Sequence, residues 1–218
     1  MIDTQKIIVA LDGIDKEKAL KVAHTLQGEV WGFKVNDLIF EDLEIISALK
    51  RFGKVFADVK LHDIPNTVEN SVRRLSKKGA DIITVHASGG VEMMKAAKRA
   101  ANTNKSKIIA VTVLTSLSAE NTKGRVEELA KEAAEAGIDG IVCSGQELEA
   151  IQNISEMRNM LKIVPGIRPS WYQVSDDQVR TTTPQKALGL GADLLVIGRP
   201  MIVQVNDPRI ALEKICRE

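Results

Sequence analysis

The sequence predicts a (β/α)8 barrel in one domain, residues 1–218. Three observations carry the prediction. Eight short runs rich in β-branched residues recur along the 218 residues, amphipathic segments of helical period separate them, and no glycine fingerprint follows the first run. Strands alternating with helices imply parallel βαβ units, and eight such units can close into a barrel. An open doubly wound sheet is the competing arrangement. It is disfavoured because "ALDGID" has a single glycine where a dinucleotide-binding turn needs three.

The runs, in order, are "KIIVALD" (6–12), "EVWGFKVN" (29–36), "KVFADVKL" (54–61), "DIITVHA" (81–87), "KIIAVTVLT" (107–115), "DGIVCS" (139–144), "LKIVPGI" (161–167) and "DLLVIGRP" (193–200). Between the first two lies "KEKALKVAHTLQG". In "RVEELAKEAAEAG", Val126, Leu129, Ala130, Ala133 and Ala134 share one helical face. Gly28, Gly53, Gly79, Gly137 and Gly191 follow helical segments, where a left-handed C-terminal cap prefers glycine. "DPRIALEKIC" closes the eighth unit. The connection "RPSWYQVSDDQVRTTTP" is long for a strand-to-helix link and suits a lid, with Trp171 and Tyr172 as covers or anchors. Beyond the βα rhythm there is no repeat of 20–50 residues, no low-complexity segment and no linker.

Composition narrows the function classes. Thirty basic and twenty-nine acidic residues leave a net charge of +1, so no global field draws nucleic acid or membrane, and aromatics at 3% offer no base-stacking platform. No run approaches the roughly 18 apolar residues of a membrane span, and "MIDTQKIIVALD" lacks the pattern of a signal peptide. Cys143 and Cys216, far apart in apolar surroundings, read as reduced core thiols of a cytoplasmic protein rather than a disulfide. His24, His62 and His86 have no zinc-site spacing, and Met93 and Met94 read as helix packing.

In a barrel, function gathers where the strands end, because the loops there converge on the axis. The first run ends on Asp12, the second carries Lys34, the third carries Asp58 and Lys60, the fifth ends "LTSLS", the seventh "PGIRP" and the eighth "IGRP". The densest charge lies in "DVKLHDIPNT". Strand alternation puts Val59 and Leu61 toward the helices and Asp58 and Lys60 toward the interior. Unpaired charges there would cost several kcal/mol each, so Lys34, Asp58, Lys60 and Asp63 are expected to alternate as a neutral quartet. The same residues also fit a structural ion-pair cluster with Asp63 as the N-cap of a helix opening at Pro65. Asp12 likewise fits the N-cap of "IDKEKALKVA". Gly198 and Arg199 fall where a barrel's phosphate site usually forms; Arg199 would equally suit a surface ion pair.

"DVKLHDIPNT" resembles the Asp-x-Lys-x-x-Asp-Ile-Pro-x-Thr signature of the orotidine 5′-monophosphate decarboxylase family. The similarity runs through "VALD", "FKVN", "TVLTS", "PGIRP", "DDQVRTTTP" and "IGRP", in order, over essentially the whole chain. It implies loss of CO2 from C6 of orotidine monophosphate to give uridine monophosphate in de novo pyrimidine synthesis, with no cofactor and no metal. Without an electron sink, a C6 carbanion must be stabilised by electrostatics and positioning. The resemblance implies that Asp58 lies against the substrate carboxylate and that Lys60 stabilises and protonates C6. Lys34 would keep Asp58 ionised and touch the ribose, which Asp12 also binds. Asp63 and Thr67 would reach into a partner's site, giving a homodimer with composite sites. Arg168 and Gln178 would close over the nucleotide. Thr115 or Ser118 would bond the pyrimidine edge, although both are ordinary turn residues too.

The nearest rivals are sugar-phosphate lyases that share Asp-x-Lys-x-x-Asp but use magnesium and an enediolate; they are not expected to show the Ile-Pro-x-Thr tail or "DDQVR". A non-catalytic nucleotide sensor is the alternative from another class.

Overall fold

A computed structural model describes residues 1–114, 122–172, 180–203 and 207–218, with the side chains of residues 122 and 123 left aside. Thr115, Ser118 and Gln178 therefore lie outside the described residues. The order is β1 (Ile7–Ala10), α1 (Lys16–Thr25), β2 (Gly32–Val35), α2 (Asp37–Glu41), α3 (Glu44–Lys50), β3 (Lys54–Leu61), α4 (Pro65–Lys77), β4 (Ile82–His86) and α5 (Val91–Asn102). It continues with β5 (Lys107–Val111), α6 (Thr122–Glu135), β6 (Gly140–Val142), α7 (Leu148–Gln152), β7 (Leu161–Val164), α8 (Pro184–Gly189), β8 (Leu194–Ile197), α9 (Arg199–Ile202) and α10 (Pro208–Cys216). Every strand is parallel to its neighbours, and β8 pairs with β1 to close the barrel.

Side chains that alternate along each strand build two apolar layers. Ile8, Ala10, Phe56, Ile82, Ile109, Ile163, Leu194 and Val196 fill the barrel axis, while their strand neighbours, such as Val9, Phe33, Ile83 and Leu195, pack against the helices. The helices meet that outer layer through apolar stripes: Val68, Val72 and Leu75 on α4, and Val126, Leu129, Ala130 and Ala133 on α6, are buried. Pro65 starts α4 at a position that needs no N–H, and the Asp15 carboxylate caps α1 by accepting from Lys18 N at 2.8 Å.

The strands are shorter at their C-terminal ends than the apolar runs suggest. β1 stops at Ala10 rather than Asp12, β5 at Val111 rather than residue 115, and β8 at Ile197 rather than residue 200. Asp12 and residues 112–114 lie in loops instead, while Arg199 and Pro200 open α9. Gly28, Gly79, Gly137 and Gly191 take the left-handed backbone expected after helices; Gly53 does not, and a Cβ there would meet the Phe33 ring at 3.2 Å. At the opposite end, Asp81, Asp139 and Asp193 repeat one device. Each precedes an even-numbered strand, and its Oδ2 accepts at 2.8 Å from the backbone N of Val55, Ile108 or Lys162 near the start of the odd strand before it. Lys50 and Lys98 pair with the first two carboxylates. The three share a Gly-x-Asp pattern, a short-range repeat the βα rhythm conceals.

Both cysteines are free thiols; Cys143 is buried, which pushes its pKa upward, and Cys216 is half-buried. Met93 and Met94 are buried in the helix-facing core. No described helix is long and apolar enough to cross a membrane.

Candidate active site

A cavity of about 510 Å3 opens at the C-terminal mouth of the barrel. Its floor is apolar, with Phe56, Val111, Val142 and Val196 closing the axis below. Asp12, Lys34, Asp58 and Lys60 line one wall, and Arg168, Gly198 and Arg199 another. The strand ends bring these groups together as the sequence leads one to expect.

The charged wall is a chain of ion pairs. Lys34 Nζ lies 2.5 Å from Asp12 Oδ2 and 3.0 Å from Asp58 Oδ2; Lys60 Nζ lies 2.9 Å from the same Asp58 oxygen. Charges alternate Asp12–Lys34–Asp58–Lys60, so the quartet is neutral. Its second carboxylate is Asp12, not Asp63 as expected from the motif. Asp63 sits past the end of β3, is exposed, and accepts from Ile64 N at 2.6 Å. Nor is Asp63 the cap of α4, since Ile64 holds that position. Asp12 is no helix cap either, because the cap of α1 is Asp15, three residues later. Sequence spacing drew attention to the local cluster; the β1–β2 pairing, Ala10 against Lys34, is what carries Asp12 to Lys34.

Lys34 and Asp58 are buried and Lys60 is partly exposed. Burial by itself would raise the Asp58 pKa, but Lys34 and Lys60 outweigh it and hold the carboxyl down at about 2. Burial would lower the Lys34 pKa; Asp58 and then Asp12 reverse this, and it stands above its ordinary value. The remaining Asp58 oxygen, Oδ1, accepts from the Thr84 hydroxyl at 3.0 Å, and its backbone carbonyl accepts from Asn36 Nδ2 at 2.5 Å. Lys60 departs from strand geometry: its φ is 49°, and the β3–β4 register shifts between Ala57 and Leu61. Val59 and Leu61 still pack on the helix-facing core.

Other contacts shape the rim. Gly13, in left-handed backbone at φ 72°, follows Asp12 and donates its N–H to Asp37 Oδ2 at 2.8 Å. Arg168 lies 5.5 Å over the Tyr172 ring, while Lys214 lies 5.5 Å over Trp171. Tyr172 is buried and Trp171 packs against the core, so both anchor the start of the long connection. A buried ion pair joins Arg180 to Glu147; Arg180 Nη2 also donates to the carbonyls of Leu114 (2.8 Å) and Val113 (3.2 Å), and Glu147 Oε2 accepts from Ser144 N at 2.8 Å. This pair ties the loops after β5 and β6 to the residue that follows "DDQV".

Thr84, Asn36, Arg180 and Glu147 were not singled out from the sequence. Thr84 carries a faint signal, a hydroxyl at an inward-facing position of the apolar run "DIITVHA". His62 is exposed, with its ring centroid 5.6 Å from that of the half-buried His86. Burial, His62 and Lys60 hold His86 below its ordinary value of 6.5, hence neutral at pH 7. Thr67 is exposed on α4. No group of three or more His, Cys, Asp or Glu side chains among the described residues is placed to hold a metal ion.

The model of the orotidine 5′-phosphate decarboxylase / HUMPS family matches residues 5–215. The chain belongs to this family. It is 42% identical to the orotidine 5′-phosphate decarboxylase of Carboxydothermus hydrogenoformans, over 99% of this chain and 96% of the relative. The Streptococcus gordonii decarboxylase is 41% identical over 98% and 97%. Among solved structures, the Lactobacillus acidophilus orotidine 5′-phosphate decarboxylase superposes with a TM-score of 0.83 at 33% identity, covering 98% of both chains. Family membership thus agrees with the barrel.

Proposed function

We propose that the protein decarboxylates orotidine 5′-monophosphate to uridine 5′-monophosphate, the closing step of de novo pyrimidine synthesis, at the mouth cavity. Family membership and the near-complete match to decarboxylases of that name support the reaction. The observation that carries the mechanism is Asp58, a buried carboxylate kept ionised between two ammonium groups on the cavity wall.

In this reading the substrate carboxylate sits beside Asp58, and like charges about 4 Å apart repel by about 4 kcal/mol at an effective dielectric near 20. The C6–carboxylate bond breaks, its electron pair remains on C6, and CO2 leaves. The Lys60 ammonium stabilises that pair and then transfers a proton to C6; solvent restores the ammonium. Lys34 holds Asp58 ionised and, with Asp12, bonds the ribose. Arg199, Gly198 and Arg168 bind the phosphate end, joined by Gln178, while Thr115 or Ser118 bonds the pyrimidine. Asp63 and Thr67, both exposed, reach the partner's site in a homodimer. No step requires a cofactor.

The test follows ultraviolet absorbance as purified protein meets orotidine monophosphate, with and without a chelator. Conversion to uridine monophosphate, indifferent to chelator, is expected. Absence of conversion, with chelator-sensitive turnover of a sugar phosphate, would instead assign a magnesium-dependent lyase of the same family.

A further inference from the structure

We infer that Thr84 is a positioning residue: its hydroxyl holds Lys60 in its left-handed backbone and fixes Asp58, so that the Lys60 ammonium points into the cavity. The inference rests on the roles given above to Asp58 and Lys60. It starts from the sheet. Ala57 pairs with Ile83 and Leu61 with Val85, so Asp58, Val59 and Lys60 bulge opposite Thr84 alone. Bulges next to active sites re-aim side chains, and this one places Lys60 at φ 49°, a region that L residues seldom occupy.

A bulge breaks the ladder, so the Lys60 N–H needs a partner other than a β4 carbonyl. It donates to Thr84 Oγ1 at 2.9 Å, and the same hydroxyl donates onward to Asp58 Oδ1 at 3.0 Å. Asp58 Oδ2 already serves Lys34 and Lys60. One fully buried hydroxyl therefore satisfies both the strained backbone and the free side of the carboxylate. Threonine is stiff at χ1, which keeps that hydroxyl in one place. Removing it leaves a part-buried N–H and a buried carboxylate oxygen unpaired and releases the constraint on the bulge.

Thr84→Val and Thr84→Ser separate this role from packing. Valine keeps the shape and loses the hydroxyl; serine keeps the hydroxyl and loses a methyl. Thr84→Val should lower kcat by about 10- to 100-fold with KM changed less than about threefold, since the lost bonds serve charged and reacting groups rather than the remote nucleotide contacts. The acid limb of its pH–rate profile should move to higher pH, because Asp58 loses a donor to its charged form. Thr84→Ser should recover kcat to within about threefold of the parent. A packing role predicts the reverse order, valine tolerated and serine impaired. Parental kcat in Thr84→Val, or serine no better than valine, would overturn the inference. If the valine variant does not fold, Thr84→Ala against Thr84→Ser makes the same comparison, as the two differ only by the hydroxyl. Lys60→Ala runs alongside: full turnover there would remove the network mechanism itself, whatever Thr84 shows.

Discussion

At the scale of single residues, the mouth is governed by which charge has which partner. Asp58 is ionised in the fold at a pKa of about 2, against an ordinary value of 3.8. A depressed carboxylate contributes stability that is present above the unfolded value and lost as pH falls through the folded one. The shift corresponds to about 2 kcal/mol, so stability should fall between about pH 4 and pH 2, and Asp58→Asn should flatten that fall. Lys34 has the opposite sign: its raised pKa contributes stability present below 10.5 and lost only as pH rises through the folded value. Urea midpoints measured from pH 2 to pH 11 check both limbs. For chemistry, Lys60→Ala should abolish turnover and leave nucleotide affinity within a few-fold, because in the proposed reading other residues bind the phosphate and the base. Arg199→Ala should weaken kcat and KM together, since binding remote from the reacting carbon is used in the transition state. Titrating uridine monophosphate into each variant separates the two patterns.

At the scale of elements, function and stability occupy opposite ends of the same strands. The carboxylates of Asp81, Asp139 and Asp193 pin strand starts far from the cavity. Asp139 accepts from Ile108 N at 2.8 Å and pairs with Lys98 at 2.6 Å, both side chains mostly buried. Asp139→Ala leaves an N–H and an ammonium unpartnered there. It should cost about 2–3 kcal/mol in denaturant unfolding while kcat stays within about twofold, because no cavity residue moves. A large loss of kcat at unchanged stability would show that the two ends are coupled. Strand number, helix stripes and the identity of the charged strand ends were legible in the sequence because they follow from period and from charge placement. The β3 bulge was not: "FADVKL" alternates like any strand, and only the close fit of Thr84 against the β3 backbone reveals the left-handed Lys60. The Gly-x-Asp device was equally hidden, since its partner in each case is a backbone N–H on another strand. The Asp63-for-Asp12 exchange has the same cause. Neighbours in sequence suggested a quartet that the barrel's cross-strand register assembles from β1, β2 and β3.

At the scale of the whole molecule, the Asp63–Thr67 segment that follows β3 faces solvent. Asp63, Ile64, Pro65, Asn66 and Thr67 are all exposed, and Ile64, 66% exposed, is one of the few large apolar side chains left to solvent. Asp63 follows Lys60 by three residues, yet its carboxylate accepts from Ile64 N instead of joining Lys34, Asp58 and Lys60. In the homodimer proposed above, each site would then join Lys60 of one subunit to Asp63 of the other, an isologous arrangement in which both sites are equivalent. Complementation tests this directly. Lys60→Ala and Asp63→Ala homodimers should each be severely impaired. Mixed, unfolded and refolded together in equal amounts, they form heterodimers in which one site has lost both groups and the other has lost neither. Half the dimers would be mixed and half their sites intact, so the mixture should regain about one quarter of parental activity. If Asp63 instead served its own subunit, no heterodimer would contain an intact site, and the mixture would show only the average of its two impaired parents.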